Sequence, residues 1–353
     1  MLIKVKKIIS TLISLIILFL VSYLIFIFPF DILLSWLGNP STIFESLIGT
    51  TIVFGFCLYY FRSKSTNRLI KFFVYEGFGI GTVSFFTILP LLAASYFQII
   101  NDSHLVLIFF SIQLPAIIYG YTNSKKLKIK KLSIKSKLIN KNIKFIFISD
   151  VHIGSNHPSS LKKLVSKINS LDFNFLVIGG DLFDSSAFKI DDLDLFKKIN
   201  KPKYFVTGNH EYYVQNYKKH LQDLHKCGIR TLDNESIKLQ NINLIGISDN
   251  TSNSSKIDYV HKLSQGNLFN LLIVHKPSIW NKVSDNVNLM LSGHTHNGQI
   301  FPFNFIVKLQ FPQNYGLYKK INNYLYVSSG SATWGPKIRI GSNNEIIHIE
   351  LKK

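Results

Sequence analysis

The chain has 353 residues, 47% hydrophobic and 17% charged, a balance too apolar and too charge-poor for an ordinary water-soluble protein, so part of it must sit in lipid. Its 40 Lys and Arg against 20 Asp and Glu give a formal net charge of +20, which leaves nucleic acid, a membrane surface or an anionic substrate as partners. Cys57 and Cys227 stand far apart, which excludes both a cysteine metal pair and a disulfide framework.

Four apolar stretches precede residue 122: Ile8 to Phe30, Ile43 to Phe61, Gly77 to Ile100 and His104 to Tyr121. Each reaches or approaches the ~17 to 25 residues that carry a helix across ~30 Å of hydrocarbon. The first is long, lacks a small-residue cleavage site and is followed by further spans, so it reads as a retained helix and not as a signal peptide. The last carries Gln113 and Pro115, which neighbouring helices can accommodate. Lys4, Lys6 and Lys7 precede the first span, Arg62, Lys64, Arg68 and Lys71 fill the second connection, and Lys125, Lys126, Lys128, Lys130 and Lys131 follow the fourth. The first and third connections, Asp31 to Thr42 and Asn101 to Ser103, carry no Lys or Arg. By the positive-inside rule both termini face the cytoplasm. The expected organisation is a four-span membrane domain over 1–122 and a cytoplasmic domain over 123–353.

From Lys125 to Lys144 lysines interleave with Leu and Ile. Two readings stay open: a polybasic segment that favours anionic lipid by about 1 kcal/mol per Lys near the surface, or the Lys-guarded edge of a β-hairpin. Nucleic acid is not an expected partner, because no recognisable reading module accompanies the charge.

Beyond Ile143 the pattern becomes short apolar runs ending in polar tips. Strands are expected at Ile143 to Ser149, Phe173 to Ile178 and Lys203 to Thr207, with helices at Ser159 to Leu171 and Asp191 to Ile199 between them. Further strands are expected at Ile242 to Ser248, Leu268 to Val274, Val287 to Leu291 and Tyr324 to Ser328. Alternation of this kind means parallel strands with helical crossovers; the fold class is α/β, two packed sheets flanked by helices, preceded by the four spans.

Open α/β sheets bind ligands beyond the carboxyl ends of their strands. There stand Asp150-Val151-His152, Gly180-Asp181-Leu182-Phe183-Asp184, Gly208-Asn209-His210-Glu211, His275-Lys276-Pro277 and Gly293-His294-Thr295-His296. Taken singly each is as readily a turn or a cap. Together they offer carboxylate, amide and imidazole donors without thiolate, a set suited to Mn, Fe or Zn, and burying them unpaired would be costly.

This ordered set resembles the calcineurin-like metallophosphoesterase superfamily, strongly from Lys144 to about Gln299. The resemblance implies two divalent metal ions, Mn²⁺ foremost with Fe or Zn as alternatives. One ion would be held by Asp150, His152, Asp181 and His296, the other by Asp181, Asn209, His275 and His294, with Asp181 bridging. It also implies that His210 acts on the leaving group without binding metal and that Asp184 orients it, a pairing that would keep His210 cationic. Two such ions clamp the oxygens of an in-line displacement at phosphorus, and a neutral Asn209 preserves the excess positive charge that attracts a phosphate ester. The sequence departs from the family pattern at Asn297, where a glycine is frequent; Gly298 and Gln299 remain.

An anchored site suits a substrate held in the bilayer. The chain resembles the membrane-anchored UDP-2,3-diacylglucosamine pyrophosphohydrolases of lipid A synthesis, which implies release of UMP and 2,3-diacylglucosamine 1-phosphate from a lipid-linked nucleotide at the cell inner membrane. The alternatives are a phosphodiesterase or phosphatase for another membrane-proximal ester and, in a different class, a non-catalytic sensor or transporter. Against the latter, Glu45 and Glu76 read as lying near span ends and no span centres an ionisable pair. Tyr212 and Tyr213 fit either the cleft or the core. Ile300 to Phe311, with Phe301, Phe303, Phe305 and Phe311, fits a core strand pair or an acyl-chain or membrane contact, the strand pair being preferred.

Overall fold

The structure, a computed structural model, describes every residue except Met1, 64–66 and 185–187, and leaves aside the side chains of 2–7 and 68. Lys64 and the side chains of Lys4, Lys6, Lys7 and Arg68, used above for orientation, therefore lie outside the described residues. Two compact units emerge: Met1–Thr122 with Gly335–Ile338, and Asn123–Trp334 with Arg339–Lys353.

The first unit is helical: α1 (Leu2–Ser22), α2 (Phe28–Trp36), α3 (Ile43–Ser63), α4 (Arg68–Tyr96) and α5 (Asp102–Ser124), with a π-helical turn at Tyr23–Ile27 joining the first two. Four stretches among the described residues are long and apolar enough to cross a membrane: Ile8–Trp36, Ile43–Ser63, Leu69–Tyr96 and Asp102–Ser124. The third starts earlier than its hydropathy suggested, because Asn67 Oδ1 accepts the N–H groups of Leu69 and Ile70 at 2.9 and 3.3 Å and caps α4 there. Glu76 consequently lies inside α4 and not near its end. The helices are joined by polar contacts as well as by packing. Gln113 Nε2 donates to Ser84 Oγ at 2.7 Å, Ser46 Oγ to Asp31 Oδ2 at 2.8 Å, and Ser95 Oγ to Asp102 Oδ1 at 2.7 Å.

The second unit holds β1 (Leu127–Lys135), β2 (Ile143–Ile148), β3 (Phe175–Gly179), β4 (Lys203–Val206), β5 (Ile229–Thr231), β6 (Glu235–Leu239), β7 (Ile242–Ile247), β8 (Phe269–Val274), β9 (Leu289–Ser292), β10 (Gly316–Lys320), β11 (Asn323–Val327) and β12 (Asn344–Lys352). They form two six-stranded sheets, ordered β1-β12-β2-β3-β4-β5 and β10-β11-β9-β8-β7-β6. Both sheets are mixed: β2 to β5 run parallel, as do β7, β8, β9 and β11, while β12 is antiparallel to β2, β6 to β7 and β10 to β11. Strands β3, β4, β7, β8 and β9 are buried along their whole length, as continuous apolar strands covered on both faces must be.

Phe145, Phe147 and Val177 of one sheet meet Leu244, Leu271 and Leu291 of the other in the central core. On the outer face of the first sheet, α6 (Pro158–Asn169) buries Leu161, Leu164, Val165 and Ile168. On the outer face of the second, α8 (Asn253–Leu263) and α9 (Trp280–Val283) bury Val260, Trp280 and Val283; the short α7 (Tyr217–Asp223) lies between β4 and β5 in sequence. The helix expected at Asp191 to Ile199 is a 3₁₀ helix at Ile190–Lys198. Leu127–Lys135 of the Lys-rich segment form an edge strand, one of its two readings, but not in a hairpin: β1 pairs in parallel with β12 from the far end of the chain. The strand pair preferred for Ile300 to Phe311 is absent; the residues form a helix, α10 (Phe303–Gln310).

Candidate metal centre

The carboxyl ends of β2, β3 and β4 in one sheet and of β8 and β9 in the other deliver the predicted residues to one place. Asp150, His152 and His296 gather in one group, Asp181, His275 and His294 in a second, and His152, Asp184 and His210 in a third, each with its donor atoms within 4.8 Å of one another. His152 Nε2 and His296 Nε2 are 3.1 Å apart, with Asp150 Oδ1 3.5 Å from His296 Nε2. His275 Nε2 stands 3.1 Å from Asp181 Oδ2. Backbone bonds tie the groups together: His294 N–H donates to Asp150 Oδ1 at 3.1 Å and His210 N–H to Asp181 Oδ1 at 2.9 Å.

Local backbone strain accompanies this convergence. Asp150, His152, Asp181, His294 and His296 all have φ between +49° and +72°, the left-handed region that costs L-residues free energy and clusters at functional sites. Close approach is equally exacting at Gly208, where a Cβ would collide with the Asp181 carboxylate.

Burial sets the protonation states. It drives His294 down to about 3 and His210 down to about 4, leaving neutral imidazoles with free lone pairs. Burial also opposes a charge on His275, but Asp181 outweighs it and holds that imidazole up to about 10. A divalent cation fits here on the donor set itself: it would take the proton's place beside Asp181 and supply a partner for Asn209 Oδ1, which is buried without a hydrogen bond.

Two expectations change. Asp184 Oδ2 lies 3.0 Å from His152 Nδ1, so its near partner is His152, as carboxylates commonly stand behind metal-binding imidazoles, while His210 shares the same cluster within 4.8 Å. Burial lowers His210 to about 4 against the raising pull of Asp181 and Asp184, where pairing with Asp184 was expected to keep it cationic. The two tyrosines divide: Tyr212 Oη bonds to Ser248 Oγ at 2.7 Å and Thr207 Oγ1 at 2.9 Å inside the fold, whereas the exposed Tyr213 ring sits 5.3 Å from that of His210.

Three supporting residues carried no assigned role in the sequence. Glu211 is wholly buried and accepts the N–H groups of Asp181, Leu182, Phe183 and Gly208 at 3.1, 2.6, 3.2 and 2.7 Å. Arg339, also buried, donates to the carbonyls of His296, Ser329 and Ala332 at 3.3, 2.7 and 2.8 Å, with Nη2 3.3 Å from His296 Nδ1. Trp334 lies 5.5 Å from the His210 ring and is fastened by Gln299, whose Oε1 accepts its N–H at 3.0 Å and whose Nε2 donates to its carbonyl at 2.9 Å. Glu211 lay inside a quoted motif and Gln299 next to one; Trp334 had no local signal.

A two-sheet α/β sandwich with clustered Asp, Asn and His at the strand ends defines a metal-site protein of the phosphoesterase type. The family model described as calcineurin-like phosphoesterase matches residues 143–298. An uncharacterized metallophosphoesterase of Aquifex aeolicus is 30% identical over 251 residues, covering 66% of this chain and 95% of that one. The chain belongs to the calcineurin-like phosphoesterase family. An uncharacterized metallophosphoesterase of Helicobacter pylori is 34% identical over 65% of each chain, so the match spans slightly less than two thirds of that relative's length. A Danio rerio protein named as a transmembrane protein with metallophosphoesterase domain is 31% identical over 60% of this chain and 53% of its own.

Proposed function

We propose that the chain is a membrane-anchored hydrolase of phosphate esters that works with two divalent metal ions. The observation that carries this reading is the convergence of the Asp150, His152, His296 group with the Asp181, His275, His294 group. Asp150, His152, Asp181 and His296 would hold one ion and Asp181, Asn209, His275 and His294 the other. Mn²⁺ is the proposed ion, with Fe and Zn as alternatives. Such ions supply Lewis acidity and a clamp for phosphoryl oxygens. The chain's own residues do the rest: Asp184 fixes the His152 tautomer, Glu211 and Arg339 hold the ligand loops, and His210 beside Asp181 meets the ester's leaving oxygen. Being neutral, His210 would offer the leaving oxygen a hydrogen bond from its one ring N–H and not a proton, and Tyr213 and Trp334 frame it.

The four apolar helices and the transmembrane relative support anchoring. The lysine and arginine pattern supports a cytoplasmic catalytic domain on the inner membrane. The proposed substrate is UDP-2,3-diacylglucosamine, cleaved to UMP and 2,3-diacylglucosamine 1-phosphate; its support is an anchored site, to which bilayer lipids come by lateral diffusion.

The test is hydrolysis by the purified full chain of UDP-2,3-diacylglucosamine beside bis(p-nitrophenyl) phosphate, with Mn²⁺, Fe²⁺ or Zn²⁺ and bound metal measured on the same sample. Turnover of both supports the whole reading. Turnover of the simple diester alone removes the lipid nucleotide and keeps the hydrolase. No turnover from metal-loaded protein overturns both.

A further inference from the structure

A surface helix of a water-soluble domain turns its polar side outward; α10 exposes large apolar side chains instead. Phe303, Asn304 and Val307 are half-buried, while Phe305, Ile306 and Leu309 face out, and Leu309 is 86% exposed. Phe301, itself exposed, packs its ring 5.8 Å from that of Phe305 and extends the apolar face. The stretch of chain that carries this face has charge of one sign: no Asp or Glu occurs between Asp285 and Glu345, and Lys308 lies exposed on the helix.

α10 is also fastened to the metal centre at both ends. It follows the His296 loop through Gly298, whose φ of +69° and missing Cβ let the backbone of Phe303 and Asn304 press against it. At its other end the Phe311 ring lies 5.1 Å from that of His294, and Asn314 O accepts from Thr295 Oγ1 at 2.6 Å.

We infer that α10 is an interfacial helix that lays Phe301, Phe305, Ile306 and Leu309 into the headgroup-acyl boundary of an anionic bilayer and so holds the metal centre at the lipid surface. Apolar side chains exposed on one face of a helix bind in this way, and the exposed Lys308, in a stretch of chain free of acidic residues, complements anionic headgroups. Four helices of the same chain are long and apolar enough to cross a membrane, which makes a bilayer the apolar phase to test. The inference deepens the proposed hydrolase reading and rests on it for its purpose, but its test needs no turnover.

The full chain is reconstituted in anionic nanodiscs as Leu309→Cys, labelled with an environment-sensitive fluorophore. The unsubstituted chain, whose Cys57 and Cys227 are buried, is treated identically to correct for background. Doxyl-labelled lipid should quench the emission while aqueous iodide leaves it unchanged. Quenching by iodide and not by doxyl lipid overturns the inference. Protection from both also overturns it, by placing a second copy or another protein on this face. Phe305→Cys carries the label on the same face should Leu309→Cys fail to fold. Because emission and not hydrolysis is read, a failed hydrolase assay and a failed docking test are distinguishable.

Discussion

The two halves of the metal centre are held by opposite chemistry. Around Asp181 the loops after β3 and β4 point four backbone N–H groups inward, and the Glu211 carboxylate gathers them. Around His296 the loops after β9 and β11 point carbonyls inward, and the Arg339 guanidinium gathers those. The left-handed turns that bring Asp181 and His296 to the centre break the regular ladder, and each break leaves backbone groups that must find a partner where water is excluded. The residue chosen follows from the sign of the orphaned groups: an acceptor for N–H, a donor for C=O. Burial resists both charges, pushing Glu211 up to about 8 and Arg339 down to about 10.

The largest effects are expected from the residues these supports serve. Asp181→Ala removes the carboxylate shared by His275 and His210 and should abolish metal retention and lower kcat/KM by at least about a thousandfold. His210→Ala should keep full metal content and lower turnover by roughly 10²- to 10⁴-fold. Metal analysis beside kinetics checks the pair; a His210→Ala protein that comes out metal-free would reassign His210 as a ligand.

Smaller and more selective losses should follow from the supports. Glu211→Gln should weaken metal affinity by about 10- to 100-fold in the Asp181 and His275 half, and Arg339→Lys by a similar factor in the His296 half. Titration of the apo protein with Mn²⁺ followed by calorimetry reads the two halves as separate steps. If both variants weaken the same step, the division of labour between Glu211 and Arg339 is wrong.

Much of this was legible in the sequence because it is local. Fully buried strands announce themselves as apolar runs, and their polar tips mark the sheet ends, so Asp150, Asp181, Asn209, His275 and His294 could be placed without coordinates. Contacts that depend on loop closure could not. Asp184 sits within reach of both His152 and His210, and only the fold shows that His152 is the nearer. Arg339 acts on residues from distant loops. Phe301, Phe303 and Phe305 alternate as strand residues do, yet the chain turns at Pro302 into α10. The pairing of β1 with β12 joins segments more than two hundred positions apart, beyond any local pattern.

The mildest contrast lies beside the centre, in a support that balances charge instead of orphaned backbone. Asp249 takes Lys256 Nζ on Oδ1 at 3.0 Å and Lys276 Nζ on Oδ2 at 2.7 Å. Burial would raise its carboxyl, but His275, Lys256 and Lys276 outweigh burial and lower it. A lowered carboxyl stabilises the fold fully above the ordinary Asp value of ~3.9 and loses that contribution as pH falls through the folded value. Asp249→Asn should therefore cost about 3 kcal/mol at neutral pH, because Lys256 is left buried without its counter-charge while Lys276 can turn to solvent. Burial already lowers Lys256, and losing Asp249 lowers it further, so across the alkaline range the unfolded variant binds more protons than the folded one. Stability of the variant must then rise with pH relative to the parent. Thermal unfolding in detergent from pH 7 to 10 should show the gap in Tm narrowing; a gap that is constant or widens would mean that Lys256 finds another partner and that Asp249 does not balance it.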